Sequence, residues 1–243
     1  MFLIPMAGMS SRFFAAGYTL PKYQLPLGES TVFDHVIASF EAYFKDDLFV
    51  FAAQDDPQVE AFLHDRLQRC EIDDYRIVRL TEATRGQAET VKIALDAGFP
   101  DDELFIFNID TFRPGFRKAE FHYDVDGYLE VFVGEGDHWS FALPGDNNTV
   151  VQTTEKERIS SLCSDGLYHF RSSHRFQELV ADMIAENDLS RGEYYVAPMY
   201  NRLIRAGADI RYQTIPTSDV IFCGTPDEYQ ACRALPPEQL RAL

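Results

Sequence analysis

Four short strand patterns, separated by stretches of helical spacing, constrain this chain more than any other feature. Tyr75–Leu80 carries Arg76 and Arg79, while Phe2–Met6, Leu48–Ala53 and Leu104–Ile109 read as buried strands. Strands of that kind are buried on both sides, as in parallel sheets covered by helices. Between the first two, Val32, Val36, Phe40 and Phe44 recur at helical spacing behind a Ser30 or Thr31 cap, which predicts a helix over 32–44. Gln54-Asp-Asp-Pro then opens a helix over Val59–Cys70. Such alternation predicts an α/β fold, a three-layer α/β/α Rossmann-like architecture with a mixed, mostly parallel sheet. Ligands in these folds collect at the carboxyl ends of the strands.

The second half carries further strand patterns at Gly127–Val133, Trp139–Leu143, Val150–Lys156, Gly166–Phe170 and Ile210–Pro216, with a hairpin turn at Pro144–Asn148. An amphipathic helix is expected over Phe176–Asn187, and another should end near Gly207, a C′ glycine. With 243 residues, no linker and no repeat, one domain over 1–243 is expected. No apolar run approaches the roughly 20 residues that span a bilayer. The N-terminus has no basic region before its apolar run, so no signal peptide is read there. Cys70, Cys163, Cys223 and Cys232 form no CxxC pair, which suits reduced thiols and a cytoplasmic location. A net charge of −17 argues against nucleic acid as a partner. It also means that any anionic ligand must be met by a local concentration of cations, and Arg12, Lys22, Arg85 and Lys156 are the ones to follow.

The first strand breaks into Ala7-Gly8-Met9-Ser10-Ser11-Arg12, followed by Pro21-Lys22 and Leu25-Pro26-Leu27. Small residues directly after a strand let backbone N–H groups approach an anion. The same combination resembles the N-terminal signature of the nucleotide-sugar pyrophosphorylase family of nucleotidyltransferases. There the loop wraps a triphosphate, while the Arg and Lys stabilise the transferring phosphate. Thr84-Arg85-Gly86-Gln87 matches the family segment that contacts base and ribose. Asn108-Ile109-Asp110 matches its Asp-bearing strand end, where the Asp binds Mg²⁺; a hard oxygen ligand suits that ion. The resemblance implies a nucleotide-binding half over 1–115 and an acceptor-binding half over 116–243. In the latter, Glu155-Lys156 and Gly166-Leu167-Tyr168 resemble the sugar-phosphate site, with Trp139 and Glu193 nearby in the series.

One departure stands out. Many relatives carry a metal-binding Asp or Asn two residues before the closing Gly-Thr, and this chain has Phe222 there, which cannot ligate a metal. Asp219 is the nearest acid that could serve as a second ligand, unless the second site is absent. The resemblance implies an NTP and a phosphorylated acceptor as partners, and leaves the NTP, the acceptor and the oligomeric state open. Two other readings compete: a nucleotide-binding regulator that does not react, and a glycosyltransferase using Asn108-Ile-Asp110 to hold a nucleotide sugar. A dinucleotide oxidoreductase is disfavoured, because no Gly-x-Gly-x-x-Gly follows the first strand.

Overall fold

The computed structural model describes residues 1–241. It opens with β1 (Phe2–Pro5), α1 (Ser11–Ala15), β2 (Pro26–Leu27), β3 (Ser30–Thr31) and α2 (Val32–Ala38). Then follow β4 (Phe49–Gln54), α3 (Pro57–Cys70), β5 (Tyr75–Leu80), α4 (Gln87–Leu95), β6 (Leu104–Ile106) and β7 (Thr111–Phe112). The second half holds β8 (Gly127–Val133), β9 (Ser140–Pro144), β10 (Val150–Glu155), β11 (Leu162–Phe170), α5 (Ser173–Glu186) and α6 (Tyr200–Arg205). It closes with β12 (Ile210–Thr214), β13 (Ile221–Phe222), α7 (Pro226–Arg233) and α8 (Pro237–Arg241).

Nine strands make one mixed sheet. β6, β1, β4 and β5 lie side by side and parallel. β11 joins them antiparallel to β6 and also pairs with β8 and β9. β10 closes one edge against β9, and β12 runs parallel to β8. The unbroken apolar character of β1 follows from this placement. Phe2 and Ile4 enter the core on one face of the sheet, Met1 and Leu3 the core on the other. With both faces covered, neither set of side chains is free to be polar. Among the described residues no helix is long and apolar enough to cross a membrane.

The helix expected over 32–44 is interrupted. Thr31 and Asp34 form a reciprocal capping box, but α2 stops at Ala38 and a single 3-10 turn covers Glu41–Tyr43. Ser39 marks the break, its Oγ accepting from the Arg113 backbone N–H at 2.9 Å. Phe40 and Phe44 are nevertheless buried, packing on Phe2 and Phe49 at ring separations of 4.8 and 5.6 Å. The spacing reported burial, and the turn achieves it without a continuous helix.

At the amino-terminal end of β6, three donors converge on one carboxylate. Glu103 Oε1 lies 3.0 Å from His122 Nδ1, 3.2 Å from His169 Nε2 and 3.0 Å from Arg171 Nη1. Burial alone would push the Glu103 carboxyl up, but the hydrogen bonds from His169 and His122 outweigh it and hold it at about 2. A carboxyl lowered on folding contributes stability that is present above its unfolded value near 4.5 and lost as pH falls toward about 2. Glu103→Gln is therefore expected to lower the melting temperature near neutral pH, with the difference from the parent shrinking as the solution is acidified through that window. Melts recorded across the acid range check this; a difference independent of pH would contradict it.

Candidate functional site

The carboxyl ends of β1, β5 and β6 open onto two adjoining cavities of about 610 and 340 Å³. The larger is bounded by the 7–9 loop after β1, the 83–87 loop after β5, and Asn108–Asp110 after β6. The smaller lies toward β9, β10, β11 and the 222–228 segment. Asn108, Asp110, Ser140, Glu155 and Tyr168 line both and form their shared wall. A third cavity of about 710 Å³, between α2, α3 and α8, shares no lining residue with these two.

Hydrogen bonds hold the first loop from both sides. Gln54 Nε2 donates to the Ala7 carbonyl at 3.0 Å, and the Lys22 backbone N–H donates to Ser10 Oγ at 3.1 Å. Ser10 sits at φ 50°, a left-handed conformation that short polar residues tolerate. Ala7, Gly8 and Met9 line the larger cavity, Met9 with 60% of its surface exposed. Ser10 and Ser11 line neither cavity.

Gly86 is required by close approach. It has φ 137°, and a Cβ there would lie 2.6 Å from both the N and O of Tyr194. Tyr194 N–H donates to the Arg85 carbonyl at 2.8 Å, and Ala88 N–H donates to the Tyr194 carbonyl at 2.9 Å. Gly86 is thus the N-cap of α4, and the Thr84 hydroxyl bonds instead to that of Thr90 at 2.6 Å. Arg85 borders the cavity, but its guanidinium is engaged by Glu89 at 2.6 Å and lies over the Tyr194 ring. Gln87 Nε2 donates to Asn108 Oδ1 at 2.7 Å, tying α4 to the end of β6.

Asp110 stands where the two cavities meet. Lys22 Nζ, from the larger cavity, donates to its Oδ2 at 2.5 Å. Both side chains are 20% exposed. On the other side, a Cβ on Gly224 would lie 2.7 Å from the same oxygen, so the bare glycine lets the closing segment pass against the carboxylate. That segment is fastened by Cys223 N–H to the Asp110 carbonyl at 2.8 Å and by β13 pairing with β7. Glu228 follows at the start of α7, its Oε2 accepting from the N–H of Gly224 and of Thr225 at 2.9 Å each.

The smaller cavity has a polar floor and an aromatic wall. Trp139 and Phe222 rings lie 4.6 Å apart. Ser140 donates to Glu155 Oε2 at 2.5 Å and accepts from the Tyr168 hydroxyl at 3.0 Å. Burial pushes the Glu155 carboxyl up, against the Ser140 hydrogen bond and the Lys156 charge. Lys156 is left-handed at φ 53°, and its Nζ donates to the Tyr195 hydroxyl at 2.6 Å. Gly166, at φ 100°, presses against Asn108: a Cβ there would lie 2.3 Å from Nδ2.

Of the residues singled out from sequence, Lys22, Asn108, Asp110, Thr84, Gly86 and Gln87 gather on the larger cavity with the 7–9 loop. Trp139, Glu155, Lys156 and Gly166 gather on the smaller one. Five fall elsewhere than expected, Ser10 and Ser11 among them, since they line neither cavity. Arg12 lines the smaller cavity and not the larger. Glu193 lines the larger cavity. Asp219 borders neither and accepts from the neighbouring Ser218 hydroxyl at 3.1 Å. Ser140, Asp165 and Glu228 were not foreseen on these walls, whereas Tyr168 follows from the Gly166-Leu-Tyr segment. The Thr225-Pro-Asp-Glu228 capping box was readable as a helix start, and it carries Glu228 to the site. Asp165 gave no signal beyond preceding Gly166.

A magnesium ion suits this corner on donor chemistry: Asp110 offers a hard carboxylate oxygen, which here faces the Lys22 ammonium. Glu103, His122 and His169, whose ligand atoms lie within 4.8 Å of one another, are nitrogen-rich and border neither cavity.

Residues 2–117 match the MobA-like NTP transferase domain family. The nucleoside-diphosphate-sugar pyrophosphorylase from Vibrio cholerae RC9 is 44% identical and superposes with a TM-score of 0.93, over 97% of this chain and 100% of that one. This chain belongs to the nucleotide-sugar pyrophosphorylase family of nucleotidyltransferases. The enzyme also superposes on the inositol-1-phosphate CTP transferase from T. maritima, with a TM-score of 0.73 over 99% of this chain and 93% of that one. At 11% identity, that likeness concerns the fold alone. No curated protein sequence matches the nucleotidyltransferase.

Proposed function

We propose that the enzyme joins an NTP, held in the larger cavity, to a phosphorylated acceptor, a sugar 1-phosphate, held in the smaller one, and releases pyrophosphate. The observation that carries this reading is the shared wall: one carboxylate, Asp110, lines both cavities and is met by Lys22 from the larger one. The acceptor phosphate would attack the α-phosphorus in line across that wall. Positioning and charge neutralisation are enough for such a transfer, and no covalent enzyme intermediate is needed. Lys22 would meet the triphosphate from the 7–9 loop side, and Arg12 the phosphate arriving from the smaller cavity. Asp110 would hold Mg²⁺, which would supply neutralisation of phosphate charge. Trp139 and Phe222 offer a flat apolar face, while Ser140, Glu155 and Tyr168 offer hydrogen bonds, a combination that suits a sugar ring. Assaying pyrophosphate release from each common NTP against a panel of sugar 1-phosphates and smaller phosphates tests the reading. Absence of release with every pair would overturn it.

Lys156 borders the smaller cavity alone. Lys156→Ala is therefore expected to raise KM for the acceptor by about tenfold or more, the scale of a lost hydrogen bond to a charged group, with a much smaller change for the NTP. Initial-rate measurements with each substrate varied in turn check it. Equal effects on both would remove Lys156 from the acceptor role.

A further inference from the structure

Beneath the acceptor-side wall lies a buried charged group that the proposed reaction does not use. Asp165 is 1% exposed and Glu130 likewise 1%. Arg113 donates to both Glu130 oxygens, Nε to Oε2 at 2.8 Å and Nη2 to Oε1 at 3.4 Å. Asp165 Oδ1 accepts from the Leu167 N–H at 3.0 Å, but Oδ2, fully buried, has no donor. Antiparallel pairing of Ser164 with Val131 sets Asp165 across from Glu130 on β8, whose carboxyl is another acceptor. Two ionised carboxylates facing each other in a dry interior repel, and an unpaired anionic oxygen there is strongly disfavoured. A single proton between them removes both problems, turning Oδ2 into a donor to Glu130.

We propose that Asp165 and Glu130 share one proton, and that Asp165, as a neutral acid, is a positioning residue for the acceptor site. Burial pushes both carboxyls up, and Arg113, bonded to Glu130 alone, leaves the proton on Asp165. The other ionisable groups facing this pair are Asp219 from the turn before β13, Tyr128 on β8 and Tyr168 on β11.

The connectivity gives the pair its role. Arg113 follows β7 and so lies on the segment that carries Asn108 and Asp110. Asp165 sits in the irregular part of β11, where pairing with β8 shifts between Ser164 and Tyr168, and directly precedes Gly166. The proton-shared contact therefore clamps the Asn108–Arg113 segment to the 164–166 bulge from below, while Gly166 meets Asn108 above. It does so without adding a negative charge to a wall that, on the reading above, must receive an anionic phosphate.

Two measurements test this. The first uses the protein alone, with ¹³C-labelled aspartate, and records the infrared spectrum of the parent and of Asp165→Asn near neutral pH. A protonated-carboxyl C=O band present in the parent and missing in the variant is expected; only carboxylate bands in the parent would overturn the shared proton. The second rests on the proposed reaction and uses the acceptor found in the pyrophosphate-release panel. Asp165→Ala is expected to raise acceptor KM by about tenfold, the scale of one buried group left unpaired, with NTP KM changed far less. Asp165→Asn, which keeps a donor toward Glu130, should recover most of that loss. An Asn variant as defective as Ala would mean that the carboxylate itself is needed and would overturn the positioning role. Should the Ala variant fail to fold, thermal melts of Asp165→Asn against the parent decide the same point. A folded-state acid that keeps its proton loses relative stability as pH rises above about 3.8, where the unfolded chain ionises. The Asn variant should therefore gain on the parent with rising pH, and a constant difference would overturn the proposal.

Discussion

Asp110→Asn should leave the fold intact and lower turnover by orders of magnitude. The substitution keeps the side chain's shape and removes its charge, at the point where the two cavities meet. In the protein as it stands, that charge holds Lys22 Nζ. On the proposed chemistry it also recruits a divalent ion, and loss of a charged ligand weakens hard cations most. Two signatures are expected together: a steep fall in kcat, and a higher Mg²⁺ concentration for half-maximal rate. Titrating rate against Mg²⁺ for parent and variant separates them. Near-parental activity at modest Mg²⁺ would remove Asp110 from the metal role.

Lys22→Ala is expected to lower kcat by about 10²-fold or more, the scale of losing one preorganised charge-stabilising donor. NTP affinity should change by a modest factor. A residue that binds ground and transition states equally affects KM alone; one that acts as charge develops affects kcat. Lysine suits the second role as a compact point charge. The observed Lys22–Asp110 pair adds a constraint: the two residues touch, so their substitutions should not be additive, and the double variant should fall short of the product of the single effects. NTP titrations beside single-turnover rates distinguish the cases. If Lys22→Ala abolished NTP binding yet kept the chemical rate at saturation, the lysine would be a docking device.

Much of this arrangement was legible from residue order. The apolar runs gave β1, β4 and β6 because strands covered on both faces have no alternative but to be apolar throughout, while β5, with Arg76 and Arg79, is a half-exposed edge strand. The start of α2 was readable for a similar local reason: of the two candidate caps, Thr31 bonds a first free N–H group of its own helix. What was not legible depends on contacts far apart in the chain. Helical spacing through Phe44 could not reveal that Ser39 would bond the backbone of Arg113 and end α2. Gly86 looked like part of a helix start, yet its need for glycine comes from Tyr194, more than a hundred residues later. Arg12 sits close in sequence to the 7–9 loop, but α1 carries it around to the smaller cavity. Phe222 read as a missing ligand, whereas in space it is part of an aromatic pair with Trp139. A sequence shows that a side chain cannot bind metal; it does not show which ring it will lie against.

The pairing of Tyr194 with Arg85 and Ala88 makes the two banks of the larger cavity a single piece of backbone ladder. Glu193 and Tyr195, on either side of Tyr194, cannot shift without dragging the 85–88 loop, since no side chain separates them at Gly86. Tyr195 in turn holds the Lys156 ammonium. A ligand that draws the 85–88 loop inward therefore also moves the lysine bordering the neighbouring cavity. Thermodynamic reciprocity then applies: whatever factor the first ligand adds to the affinity of the second, the second returns to the first. Any such exchange would run through two backbone hydrogen bonds and a glycine with nothing to keep them apart.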